Sequence, residues 1–314
     1  MTDKKIIVVV GATGAQGGGL ARAILADPDG AFAVRAITRN PESAAAQELA
    51  KGGAEVVRAD VDDEASLRKA LDGAYGAFFV TAFWEYGSVE REQAQALAMA
   101  RAAKAAGVQH AIWSTLPDTR LDLPIDNDLM PTLQGKYNVP HFDSKGEADS
   151  FFTDAGVPTT FLNTTFFFEG FTTGFRPTRA DDGKLVITLP MGERKLAGIA
   201  AEDIGRTAYG IFKRGDELIG TTVCIAGEHL TGAEYAADFS KVLGEEVVYQ
   251  PLSFEAFRAL GFPGADDIAN TFQYYYEFEE SFIGARDVRY VRTLNPDLQD
   301  FTTWLNLNKE KFAA

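Results

Sequence analysis

His141 and Lys145 are the residues whose types and spacing could move a proton, in the stretch His141-Phe142-Asp143-Ser144-Lys145-Gly146-Glu147. Residues four apart share one face of a helix, so these two side chains point the same way. An imidazole with an unperturbed pKa of about 6.5 suits a general acid near neutral pH. A lysine beside it can hold a sugar hydroxyl and assist a proton donor. The plainer alternative leaves His141 without proton chemistry and Lys145 as a solvated helix lysine. Ser114, Thr115 and Tyr137 are further hydroxyls that could bond a ligand. The chain has three histidines and one cysteine, with no clustering, so no metal site is expected. The single cysteine, Cys224, allows no intramolecular disulfide and fits a reducing compartment.

Such a pair needs something to act on, and a glycine-rich stretch supplies a candidate. "GATGAQGGGLARAIL" runs from Gly11 to Leu25, directly after the apolar run "IIVVV" and directly before a helical pattern. Strand, glycines and helix in that order are the context of a dinucleotide fingerprint. Gly11 would make the tight turn, Gly14 would admit the pyrophosphate, and Gly17 would let helix and sheet pack closely. The phosphates would rest on free N–H groups at the helix N-terminus. A turn with no ligand is the alternative.

The next strand pattern ends Ile37-Thr38-Arg39-Asn40. An NAD-selective fold places an acid here for the ribose 2′-hydroxyl, whereas an arginine suits a 2′-phosphate. Arg39 therefore favours NADP(H) over NAD, unless it is only a solvated arginine. Asp60-Val61 would lie near the adenine, and the 81–83 stretch along the cofactor, since ligands bind outside the carboxyl ends of such strands.

These residues must be positioned by a scaffold of alternating strands and helices. Strand patterns fall at 5–10, 33–38, 54–59, 77–83 and 111–114, with helical patterns at 16–25, 43–51, 64–71 and 89–106. Continuous apolar strands joined by short helical crossovers predict an α/β fold of the Rossmann type, a doubly wound parallel sheet. The regularity breaks at 117–140, a long segment with four prolines and four aspartates. Segments this long are usually functional or mobile. A helix is expected at about 141–155 and a strand at 159–163. Beyond them lie "FFFEGF" and "FQYYYEFEESF", which suggest a smaller C-terminal α/β domain. The expected division is a dinucleotide-binding domain at 1–165, rejoined by about 196–227, and a substrate or partner domain at 166–314. Phe166–Phe168, Phe171 and Tyr274–Tyr276 could wall an apolar pocket or simply be core.

Bulk properties bound the partners. The 314 residues carry a net charge of −15, which argues against nucleic acid and anionic membrane surfaces. No signal-peptide pattern precedes the first strand and no apolar stretch reaches about 18 residues, so a cytoplasmic location is expected.

Short-chain dehydrogenases commonly carry Tyr-x-x-x-Lys on the helix after the fifth strand. Here His141 stands where the tyrosine would be, and the lysine remains. A literal match at Tyr209–Lys213 falls in a later helical pattern and reads as chance.

On "GATGAQGG", "TRNP" and "HFDSKGE", the chain resembles the NmrA-like family, a branch of atypical short-chain dehydrogenases. The likeness extends through "GAEVVRADVDD" (53–63), "LGFPGADDIANTF" (260–272) and "TTWLNLNKEKF" (302–312). It implies a Rossmann domain plus a small C-terminal domain, with NADP in the cleft between them. Carried over, the cofactor positions are Gly11, Thr13, Gly14, Gln16, Gly17, Arg39, Asp60, Thr81 and Lys145, with Asn163–Phe167 flanking the nicotinamide. Three stretches depart from the family pattern. Glu42-Ser43 follow "TRNP" where basic residues are frequent, Asn163-Thr164-Thr165 replace a proline-containing sequence, and 117–140 is long.

Two functional readings follow. The first, favoured by the absent tyrosine, is an NADP(H) sensor whose conformation and assembly, a homodimer included, inform a regulatory protein partner. The second is an NADPH-dependent reductase of a small apolar quinone, enone or imine, with Lys145 and His141 as its catalytic residues.

Overall fold

Ile7, Val8 and Val9 are fully buried, as expected of a strand covered on both faces. In the computed structural model, which describes residues 4–312, they lie in β1 (Lys5–Val9). The first half continues α1 (Ala15–Leu25), β2 (Phe32–Thr38), α2 (Ala44–Lys51), β3 (Glu55–Arg58), α3 (Glu64–Ala70) and β4 (Gly76–Phe79). There follow α4 (Phe83–Tyr86), α5 (Val89–Ala106), β5 (His110–Thr115), α6 (Pro140–Asp154) and β6 (Thr159–Asn163). The second half holds β7 (Phe166–Phe167), β8 (Thr178–Arg179), β9 (Leu185–Ile187), β10 (Lys195–Ile199), α7 (Ala201–Lys213), β11 (Thr222–Cys224), β12 (Glu228–Thr231), α8 (Gly232–Leu243) and β13 (Val247–Tyr249). It closes with α9 (Phe254–Arg258), α10 (Ala265–Glu277), α11 (Glu279–Gly284), α12 (Val288–Leu294) and α13 (Phe301–Leu307).

The large sheet has seven parallel strands in the order β11-β6-β5-β4-β1-β2-β3. This is the doubly wound Rossmann order, and its direction reverses between β1 and β4. Two three-stranded sheets, β12-β10-β7 and β13-β9-β8, build the smaller part. Among the described residues, no helix is long and apolar enough to cross a membrane.

Two sequence expectations need correction. The strand expected at 77–83 stops at Phe79. Thr81 leaves the sheet because its hydroxyl and carbonyl turn to Lys145, and the chain then coils through α4 to Gly87 at φ +63. The return expected at 196–227 is narrower: β11 joins the sheet beside β6, while β10 lies between β12 and β7 in a small one. The literal Tyr209–Lys213 match sits on α7, where Tyr209 donates to Asp27 Oδ2 (2.6 Å) and packs edge-on against Phe32, outside the cleft.

Helix α7 packs directly on α1, and glycine makes that approach fit. A Cβ on Gly205 would lie 2.1 Å from the Leu20 nitrogen, and one on Gly19 2.3 Å from the Glu202 carbonyl oxygen. Gly19, the last glycine of the "GAQGGG" stretch, thus serves helix packing.

The 117–140 segment is fastened. The buried Asp143 carboxylate accepts from the Thr119 nitrogen and hydroxyl and from the Asn138 and Val139 nitrogens. From α10, Asn270 donates to the Pro131 and Asn138 carbonyls, and Gln273 to the Leu129 carbonyl. Tyr137 is fully buried beside Phe83 and Val89, so it is not a donor in the cleft. Phe168 and Phe171 are core as well, packed on Tyr235, Phe301 and Trp304.

Two stability predictions follow from this packing. Gly205→Ala places a methyl group against backbone and is expected to destabilise by about 2–3 kcal/mol, read as a clear fall in melting temperature. Asp149, on α6, accepts from Thr115 (2.6 Å), and burial pushes its carboxyl up to about 7. Its proton is held more tightly in the folded chain than in the unfolded one. Its contribution is therefore present below about pH 4 and is lost as the pH rises towards about 7. Asp149→Asn should raise the melting temperature relative to wild type above neutrality and lose that advantage in acid; parallel pH profiles for the two proteins would refute this.

Candidate functional site

A cleft of about 960 Å³ opens at the carboxyl ends of β1 and β4, where the strand order reverses. Gly11, Thr13, Gly14, Gln16 and Gly17 line one part of it. Gly11 has φ +67, a turn that favours glycine, and a Cβ on Gly17 would lie 2.5 Å from the Gly11 carbonyl oxygen. Helix α1 begins at Ala15 with Gly14 as N-cap and no side chain on its first N–H groups. Ser43, Asp63 and Ser88 cap α2, α3 and α5 with side-chain oxygens. The uncapped N–H groups of α1 and the cradle around Gly11 fit a pyrophosphate. Ser114 lines the cleft and donates to Gln16 Oε1 (2.7 Å), which ties the end of β5 to the glycine loop.

Arg39 lies at the tip of β2, beside Thr38, Asn40, Ala59 and Val61. Its guanidinium donates to Glu85 Oε1 (2.8 Å) and to the Tyr86 hydroxyl (3.1 Å). The hydrogen bond to Arg39 holds the Glu85 carboxyl below its usual range.

Lys145 lies deeper. Its ammonium donates to Glu92 Oε1 (2.7 Å) and to the Thr81 carbonyl (3.2 Å) and hydroxyl. Thr81 also donates to Glu92 Oε1 (2.7 Å), and Ser144 donates to Glu92 Oε2. Glu92 is buried, so its charge is satisfied by these donors and not by water. Lys145 faces a carboxylate where the common pattern would offer it a tyrosine.

One helical turn earlier, His141 Nδ1 meets Asp267 Oδ1 at 2.6 Å, and its backbone nitrogen donates to Asp267 Oδ2 (3.3 Å). A proton on Nδ1 serves that bond and leaves Nε2 as the atom free to exchange protons. Phe83, Trp84 and Phe142 surround the imidazole at 4.7–5.8 Å between ring centres. Phe166, Phe167, Phe175, Phe272 and Tyr275 continue the aromatic lining. The arrangement combines an oriented acid–base group, a lysine and an aromatic-lined cleft.

Nine of the sequence-derived positions thus meet in one cleft: Gly11, Thr13, Gly14, Gln16, Gly17, Arg39, Thr81, His141 and Lys145. Asp60 and Asn163 are not among its lining. Asp60 turns its carboxylate to the Asp62 nitrogen (3.0 Å), leaving Ala59 and Val61 at the wall. Asn163 Oδ1 accepts from the buried Arg286 (2.6 Å), which also donates to the Thr164 carbonyl (2.8 Å). Thr164 and Thr165 reach the cleft instead. Thr115 is spent on Asp149. Among the described residues, no group of three or more histidine, cysteine or acidic side chains is placed to hold a metal.

Sequence reasoning missed Glu92, Asp267 and Glu85. Glu92 left a usable signal. It shares the apolar stripe of α5 with Val89, Ala96, Met99, Ala100 and Ala103, and a carboxylate on a buried stripe requires a buried partner. Asp267 stands in "LGFPGADDIANTF", but nothing local relates it to a histidine 126 residues earlier.

Comparison with known proteins identifies relatives of this chain and similar folds. The chain is 33% identical over 278 residues to an NmrA-like family domain-containing oxidoreductase of Aspergillus hancockii, covering 84% of this chain and 80% of that protein. Its fold is similar to that of NmrA, a negative transcriptional regulator, with a TM-score of 0.79, 24% identity, and coverage of 97% of this chain and 95% of that one. Structures of NmrA in complex with NAD and with NADP are similar too. So is an NADPH-dependent quinone oxidoreductase from Escherichia coli complexed with NADPH, with a TM-score of 0.73, 25% identity, and coverage of 96% and 99%. The model of the NmrA-like family matches residues 3–305, and the chain therefore belongs to that family.

Proposed function

We propose that the protein is an NAD(P)H-dependent reductase of a neutral, flat, unsaturated substrate held between aromatic walls. The observation that carries this reading is His141, which lines the cleft one helical turn from Lys145 and is held by Asp267. When bound, a nicotinamide dinucleotide supplies a hydride. Gly11, Thr13, Gly14, Gln16 and Gly17 receive its pyrophosphate side, and Arg39, paired with Glu85, stands at the adenosine-ribose end. Relatives named as oxidoreductases and neighbours solved with NAD or NADP(H) support the choice of cofactor.

Asp267 fixes the imidazole by accepting from Nδ1–H, so that in the imidazolium form Nε2–H gives its proton to a substrate oxygen or nitrogen and the ring is left neutral. Lys145 supplies N–H donors to a ribose hydroxyl only by sharing them with Thr81 and Glu92. A quinone needs little acid assistance and a ketone or imine needs more. Phe83, Trp84, Phe166 and Tyr275 exclude water and favour planar rings.

A second reading, nucleotide binding without turnover, rests on Glu92. It neutralises the lysine that would otherwise activate a donor.

Absorbance of the reduced nicotinamide, followed against quinones, enones and imines, separates the two. The reductase reading expects turnover. His141→Ala and Asp267→Asn are each expected to lower kcat on a carbonyl or imine by about 10²-fold or more, with a smaller effect on quinones. An inert wild type across the panel would leave the sensor reading standing. Lys145→Met strands Glu92 as a buried charge and should destabilise by about 3–5 kcal/mol. The double variant Lys145→Met/Glu92→Gln should recover most of that loss in thermal melts, and activity comparisons belong in that background.

A further inference from the structure

We propose that Glu85 selects the cofactor: its carboxylate occupies Arg39 in place of a 2′-phosphate and offers NAD(H) the acid that β2 lacks. The inference rests on the dinucleotide reading of the cleft and concerns only the end that would hold the adenosine ribose.

Three observations support it. Arg39 is already engaged, at charge-assisted distance, by Glu85 Oε1 (2.8 Å) and by Tyr86 (3.1 Å). Tyr86 donates to the same Glu85 oxygen (2.8 Å), which stabilises the carboxylate in that position. The second nearby arginine, Arg91, is paired with Asp62 (2.6 Å) and lies over the Tyr86 ring at 3.4 Å. The two arginines are thus matched by two carboxylates, and no net positive charge awaits a phosphate.

The consequences differ for the two cofactors. A 2′-phosphate must displace Glu85 from Arg39 and then tolerate an acid at the cleft wall, since Glu85 itself lines the cleft. Discrimination through a repulsive group is a common route to specificity. A 2′-hydroxyl can instead donate to the Glu85 carboxylate while the Arg39 pair stays intact. NAD-selective folds place that acid on the second strand. Here it reaches the same end of the cleft from α4. Both Arg39 and Glu85 are substantially exposed, so the exchange needs side-chain motion only.

Isothermal titration of NADPH and NADH into the full chain tests this at low ionic strength. Glu85→Gln is expected to tighten NADPH about three- to fivefold and to weaken NADH about twofold. In an Arg39→Ala background the NADPH gain should shrink, because the pair it released no longer exists. An unmoved ratio of the two affinities in Glu85→Gln, or an equal change in both, would overturn the selector while leaving dinucleotide binding intact. A wild type that bound neither NADPH nor NADH would overturn the cofactor reading itself.

Discussion

The ion pair between Lys145 and Glu92 organises the cleft. Two charges in a buried position are stable only when geometry and extra hydrogen bonds offset their lost hydration. Thr81 and Ser144 supply those bonds, and in doing so they set the positions of three elements. Thr81 is drawn off the end of β4, which lets α4 begin. Helix α5 is held through Glu92, and α6 through both Lys145 and Ser144. His141 then stands one turn above the pair on α6, with Phe83 and Trp84 of α4 against its ring. The polar floor and the aromatic wall are thus consequences of one buried contact.

The smaller part of the molecule is joined to this floor by polar side chains. Asp143, on the same helix as Lys145, gathers four donors from the segment before it. Asn270 and Gln273 of α10 take carbonyls of that segment, and Asp267 of α10 takes His141. A proline-rich stretch with little secondary structure is thereby held by side chains where a helix or sheet would use its backbone. The orientation of His141 depends on this docking, because its partner belongs to the other part of the fold.

Much of the scaffold was legible in the residues. The glycines after a buried apolar strand, and the alternation that follows, specify a doubly wound sheet through local sterics and periodicity. Arg39 and Thr81 followed from topology, since ligands gather at the carboxyl ends of such strands, and His141 and Lys145 from their spacing on one helix face. What stayed hidden was pairing at a distance. Glu85 is 46 residues from Arg39, and Glu92 is 53 from Lys145. Local patterns carry no record of such partners. Asn163 and Asp60 lie off the cleft lining for a related reason: a polar residue near a cleft can be engaged by a neighbour behind the wall, as Arg286 engages Asn163. The strand expected through Phe83 failed because a buried lysine outbid the sheet for the Thr81 carbonyl.

Helix α4 is a single turn, yet three of its four residues, Phe83, Trp84 and Glu85, line the cleft. Its Trp84 packs at a tilt on His141, lines the cavity, and approaches Gly264, where a Cβ would lie 2.7 Å from the indole. Of the three tryptophans in the chain, Trp113 and Trp304 are almost wholly buried and Trp84 is 51% exposed. The molecule therefore carries its own optical probe in the wall of the site. A change in intrinsic emission on adding a ligand reports chiefly on the surroundings of Trp84, without any label.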